Sequence, residues 1–433
     1  MKKQNPKLEM KVLLVFFSII AMLLSPGCSV GGQISKQAAD FYERGLASSE
    51  KGEYDQAIAE FDQAIQFQSD YADAYFSRGL AYFFKADYDH AIVDYDQAIK
   101  LKPTDMTYYH RGLAYDYKGD HDRAIEDFDR VIADYDQAIQ SNPEDELSYY
   151  LRGLASYSKG DNDRAIADYD QAIKLKPDDA DNYLSRGTAY YSKGDYDRAI
   201  ADYDQAIQLK PDYAEVYYSR GTAYYDKEVY DRAITDYDKA IQLMPGYADA
   251  YDGRGYAYLY KGEYDRSIAD LNMAIQLKPD FIDFYYGRGF AYYKKGDYDR
   301  AVADYDKYIQ AKPDDAEGYN NRCAAYVNKG EYDRAMADCD KAIQLKPDFA
   351  NPYKNRGRAF AGKGDNDRAL ADFDKAIQLK PDYAEAYYYR GLVYKTEQKI
   401  DQAFADFKVI LEMNNDPEWQ QKAKDQLQEL GVK

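Results

Sequence analysis

Histidine and cysteine are scarce in this sequence, at three residues each, and tryptophan occurs once. His90, His110 and His121 fall at unrelated places without the spacing of metal ligands, so no metal is expected. Glycine-rich phosphate loops and nucleophile–base motifs are lacking as well, and no cofactor is expected. Acidic pairs such as Asp202 and Asp204 stand two residues apart and diverge on a helix, making neither a catalytic dyad nor a calcium loop. Basic residues are in deficit, 57 against 77 acidic ones, for a net charge of −20. That charge repels phosphate backbones and argues against nucleic acid, while it draws basic proteins or peptides, most strongly at low salt.

One apolar run stands out. Val12 to Leu24, broken only by Ser18, follows Lys2, Lys3, Lys7 and Lys11 and precedes Ser25-Pro26-Gly27-Cys28. Thirteen residues suit the core of an export signal better than a membrane span. Residues 1–27 are therefore read as a signal peptide, and 28–37 as a candidate lipidation cysteine with a linker. The segment resembles a bacterial lipoprotein signal, which implies a lipid anchor on Cys28 and, with Ser29 beside it, an outer-membrane address. The alternative is ordinary cleavage nearby, leaving a soluble periplasmic or secreted protein.

What the chain has in abundance is tyrosine, 50 residues of it, and a period that explains most of them. Arg44, Arg78, Arg111, Arg152, Arg186, Arg220, Arg254, Arg288, Arg322, Arg356 and Arg390 recur at spacings of 34, 33, 41 and then seven times 34. In Ala180–Tyr213, Tyr183, Gly187 and Tyr190 share one helical face, and Lys193-Gly194 ends that helix. Asp195 is placed to N-cap a second helix with Ala199, Tyr203 and Ala206 on its apolar face, and Pro211 stops it.

These columns resemble the tetratricopeptide repeat: aromatic, Gly, aromatic on one helix, then Ala, aromatic, Ala and a closing Pro on the next. The first aromatic column runs without exception from Phe41 through Tyr183 to Tyr387. The resemblance implies an all-α, right-handed α-solenoid of eleven two-helix units over residues 38–416. Residues 417–433 read as a capping helix and tail, with Trp419, Ala423, Leu427 and Leu430 on one face. No stretch is left for a catalytic domain. In the third unit a duplicated heptad near 122–139 lengthens the second helix by about 10 Å, read as a duplication the stack tolerates or as a lever for a partner.

Each arginine of the period has an acid on the second helix, from Glu60 and Asp94 to Asp406, which predicts a structural Arg–carboxylate ladder along the stack. One residue round from the core columns runs a second stripe, which the resemblance places on the concave, partner-binding face. It contains Phe76, Phe83, Tyr109, Tyr150, Tyr157, Tyr191, Tyr218, Tyr225, Tyr256, Tyr286, Phe290 and Tyr293, and turns polar and basic at Asn320, Lys354 and Arg358. Exposed, these rings would mark a binding groove; the competing reading packs them between neighbouring units. Some family members clamp a peptide's terminal carboxylate, but Tyr286 and Phe290 stand where that set needs Lys and Asn. Cys323 and Cys339 replace a Gly and an aromatic, and are read as two small core residues in preference to a disulfide.

The sequence thus points to a non-enzymatic protein-interaction scaffold of the bacterial cell envelope that holds a partner segment in a groove. The alternative is a structural, self-associating repeat protein in which another copy, as a homo-oligomer, fills the groove.

Overall fold

The computed structural model describes residues 34–413 and 417–431. The proposed signal, Cys28 and most of the linker lie outside these residues. Within them are 23 α-helices and no strand: eleven antiparallel hairpins and one final helix. The described residues divide into two compact units, one ending at Leu243 with six hairpins and one starting at Met244 with five and the final helix. Each unit is a stack in which every hairpin packs on the next.

Local chemistry sets the helix ends. In the fifth repeat unit of the period, Asp195 accepts a hydrogen bond from the Arg198 amide at 3.2 Å and so caps Tyr196–Leu209. Gly194, at φ 78°, supplies the left-handed residue that ends the preceding helix, Ala180–Ser192. Ala86, Glu228 and Gln398 take the same conformation without being glycine, at φ of 59–62°; each such residue costs about 1 kcal/mol.

Hairpins close around one contact. A β-carbon on Gly187 would lie 2.7 Å from the Tyr203 ring, and Tyr203 is fully buried. Gly79 with Tyr95 and Gly153 with Tyr169 repeat it, so the aromatic fills the space that the missing side chain leaves. Where the aromatic is absent the pairing changes. Cys323 and Cys339 are joined by a disulfide, with Cα atoms 5.6 Å apart. This corrects the expectation of two unlinked core thiols: the Gly–aromatic positions of an antiparallel hairpin face each other closely enough for bridging.

The predicted ladder is present and goes further than expected. Arg220 gives Nε and a terminal nitrogen to Asp236 at 2.8 and 2.6 Å, and its other nitrogen to Asp204 of the preceding repeat at 2.5 Å. Arg186 and Arg356 do the same. Each such arginine therefore ties a hairpin together and ties it to the previous one. Stacking buries the group: the Arg220 side chain is 19 % exposed, whereas Arg44, which has no described hairpin before it, is 57 % exposed.

In the third repeat the second helix runs unbroken over His121–Ser141. Its two heptads share the work that one heptad does elsewhere. Asp127, in the first copy, pairs with Arg111 of its own hairpin. Asp129, which opens the second, and Asp136, just after it, pair with Lys159 and Arg152 of the next. Neither copy hangs free, which is why the stack accommodates the extra turns.

The final helix, Pro417–Glu429, buries Ala423 and packs Trp419 and Leu427 against Phe407, Ile410 and Tyr388. It covers the apolar end of the last hairpin. No described helix is long and apolar enough to cross a membrane.

Candidate binding face

The stripe that sequence reasoning singled out divides in two. Phe76, Phe83, Tyr109, Tyr150 and Tyr218 are buried, which corrects their assignment as open groove surface. The reason is reach. Phe76 meets Tyr95 of its own hairpin at 5.9 Å and, across the joint, His110 of the next hairpin edge-on at 5.3 Å. The Tyr150 hydroxyl accepts from Ser185 Oγ at 3.3 Å. Phe76 and Tyr150 thus belong to joints between hairpins, whereas Tyr218 packs on Tyr237 of its own hairpin at 5.8 Å.

The other members keep some surface. Tyr157, Tyr191 and Tyr225, in the last turn of their helices in the first unit, are half-buried. Each hydroxyl or ring is steadied by a neighbour, as Tyr157 by Ser192 at 2.9 Å and Tyr225 by Tyr230. In the second unit Tyr256, Tyr286, Phe290, Tyr293, Lys354 and Arg358 are likewise half-buried, while Asn320 is 5 % exposed.

In the second unit the stripe deepens into a pocket of about 350 Å³. Phe290 and Tyr293 form one wall, Tyr389 and Trp419 the other, and asparagines make the floor. Those amides are chained: Asn355 donates to Asn320 Oδ1 at 3.0 Å, Asn320 to Asn321 at 3.1 Å, and Asn321 to the Tyr286 hydroxyl at 2.8 Å. Around the rim stand Lys294, Lys354, Arg358 and Lys422, with Glu385 the one acid in the lining. Lys354, its side chain 11 % exposed, binds Glu385 at 2.5 Å. Burial pulls its ammonium below the usual lysine range, and Glu385 opposes that pull. Arg358 donates to Asn328 at 2.8 Å and lies 4.6 Å over the Tyr389 ring. Lys422 sits 3.9 Å over Trp419 and pairs with Glu418 at 2.6 Å.

Asn320, Phe290, Tyr293, Lys354 and Arg358 were legible as one stripe, and the fold brings them together. Trp419, Lys422, Tyr389, Glu385, Lys294, Asn328, Asn351 and Asn355 were missed. Asn355 stands one place before the ladder arginine, where Ser77, Ser185 and Ser219 stand in other repeats. Trp419 and Lys422 belong to a helix outside the period, whose position against the face no repeat column encodes.

Matches to a family model described as "TPR repeat" cover residues 45–85, 153–194, 187–228, 221–259, 255–296 and 357–397. Two models described as "Tetratricopeptide repeat" match 72–105, 282–315 and 316–349, and 106–138. No curated protein matches the sequence. Among solved structures, yeast Tom70 is 17% identical over 91% of this chain and 95% of that one, at a TM-score of 0.42. A tetratricopeptide repeat protein from Parabacteroides merdae is 20% identical over 60% and 98%, at 0.46. The APC/C hetero-tetramer Cut9-Hcn1 gives 15% over 95% and 98%, also at 0.46.

Proposed function

The chain belongs to the tetratricopeptide-repeat family, and on that premise we propose that it is a non-enzymatic scaffold of the bacterial cell envelope that holds a segment of a partner protein. One observation carries this reading. Packing buries five stripe aromatics of the first unit, whereas side chains from successive first helices of the second unit converge on an open, aromatic and amide-lined pocket. Half-buried tyrosines give large contact area at small entropic cost, which suits them to recognition. Affinity capture from detergent-solubilised envelopes tests the reading. Wild type should retain a partner that a Tyr256→Ala/Tyr293→Ala/Arg358→Ala variant of unchanged helicity loses; equal retention would contradict it.

The location of this activity is part of the proposal. Cys28 carries a lipid anchor, and the seven residues from Ser29 to Ser35, ahead of the helix that starts at Lys36, hold the first hairpin within ~25 Å of the membrane. Metabolic labelling with an alkyne-bearing fatty acid checks this: wild type should take up label and Cys28→Ala should not. Label-free wild type in the soluble periplasmic or secreted fraction would support ordinary cleavage instead.

Self-association is the second reading, favoured by the cationic rim of the pocket on a chain whose net charge is −20. A second copy offers abundant carboxylates to such a rim. Sedimentation velocity distinguishes the two, since a concentration-independent monomer leaves the pocket for another protein.

A further inference from the structure

The pocket of the second unit has the wrong sign for the protein around it. The chain as a whole attracts basic partners, yet four cations and a single carboxylate line this cavity. The repeat supplies its own control. At the position of Lys354 the other repeats carry Tyr42, Phe76, Tyr109, Tyr150, Leu184, Tyr218, Asp252, Tyr286, Asn320 and Tyr388; at that of Arg358 they carry aliphatic, aromatic, Thr or Ala side chains. The solenoid therefore stacks without a cation at either place. In the tenth repeat both turn basic, and one of them is nearly buried, where a lysine costs stability unless a counter-charge meets it.

The ladder arginines are each gripped by a hydrogen-bonded carboxylate; among the described residues, Arg358 and Lys294 of this rim are not. Arg358 donates to an amide oxygen and lies over the Tyr389 ring, while Lys294 lies 5.5 Å from the Phe290 ring and within the field of Glu418, a carboxylate that Lys422 already engages. The floor adds an independent sign of a missing ligand. Asn355 is 2 % exposed and lines the cavity, and its Oδ1 is a buried acceptor with no hydrogen-bond donor. A fitting ligand brings carboxylates to the rim, an N–H group to the floor and an apolar body to the Tyr293 and Trp419 walls.

We propose that the pocket lined by Lys294, Lys354, Arg358, Asn355 and Trp419 binds an extended acidic peptide segment, whose side-chain carboxylates meet the cations and whose backbone N–H meets Asn355. This rests on the protein-binding reading and fixes the partner's chemistry at this site as acidic. The final helix is thereby more than a cap, since it supplies one wall and one cation.

Fluorescence anisotropy on the full mature chain tests it, with a labelled twelve-residue peptide of alternating Glu and Phe or Leu and an amidated C-terminus. Matched peptides carry Gln or Lys in place of Glu, and a fourth keeps Gln with a free terminal carboxylate. The Glu peptide should bind at least tenfold more tightly than the Gln and Lys peptides, and weaken as salt rises. Lys294→Ala/Arg358→Ala should reduce that affinity at least tenfold. Both substitutions are at non-ladder positions, and an unchanged thermal transition confirms the fold; Lys193→Ala, in the first unit, should leave binding unchanged. Equal binding of Glu and Gln peptides, preference for the Lys peptide, or preference for the free-carboxylate Gln peptide each overturns the proposal. Those outcomes leave the scaffold reading standing if envelope capture still depends on the groove; loss of groove-dependent capture sinks that reading by itself.

Discussion

Gly187 and Tyr203 are packed so closely that a single added carbon on the first would fall 2.7 Å from the ring of the second. Every hairpin of this type is gripped the same way, so the contact is the unit of the fold. Gly187→Ala should destabilise the first unit by about 1–3 kcal/mol. Gly255→Ala should cost less, because there the added carbon meets Leu271 at 3.1 Å and not an aromatic ring. Urea midpoints of the two variants give the ordering.

The ladder predicts a second contrast. Arg220→Ala leaves Asp236, a carboxylate 4 % exposed, without its bidentate partner and should cost about 3–5 kcal/mol. Arg44→Ala removes a pair whose arginine is 57 % exposed and should cost no more than about 1 kcal/mol. Thermal melts of both, compared with wild type at the same salt, decide it.

Stability of the third repeat should depend on pH through His110. Burial holds its imidazole down at about 4, while Nδ1 bonds the Met106 carbonyl at 2.8 Å. A folded value below the unfolded 6.5 means the neutral ring is favoured in the fold. Its contribution is complete above pH 6.5 and is lost as pH falls toward 4, by roughly 2–3 kcal/mol. Asp105 acts in the opposite sense: burial, with a hydrogen bond shared with Asp134, pushes it up to about 6, so its contribution is lost as pH rises from 4 to 6. His110→Ser, the residue found at this place in Ser77 and Ser185, should resist acid better than wild type. Urea midpoints at pH 7 and 4.5 measure the difference.

Reduction should loosen the ninth repeat. The Cys323–Cys339 bond closes a loop of 16 residues, which is worth about 3 kcal/mol. Dithiothreitol should lower the melting temperature of wild type and leave Cys323→Ser/Cys339→Ser unaffected. Since Asn320, Asn321 and Ala324 of the pocket share a helix with Cys323, peptide binding should weaken in parallel.

Most of the architecture could be read before any coordinates, because thirty-four-residue periodicity and caps such as Asp195 and Gly194 are local signals. Arg220 with Asp236 was legible for the same reason, as two columns at fixed spacing. Its second acid, Asp204, was not: it lies in the preceding repeat, and only the stacking offset brings it near. Ring fate along the stripe was equally hidden. Tyr218 and Tyr225 read alike on a helical wheel, yet one is buried against Tyr237 and the other, beside Tyr230, is half-exposed. The Cys323–Cys339 bond turned on a distance, and Trp419 on the docking of a non-repeating helix.

Placing a photo-reactive phenylalanine analogue at Tyr293, and separately at exposed Ala371 on a second helix, tests the scaffold reading most directly. After irradiation in intact cells, the Tyr293 position should yield a discrete higher-mass adduct that Arg358→Ala diminishes, and the Ala371 position should not. Adducts of equal yield from both sites, or none from Tyr293, would contradict it.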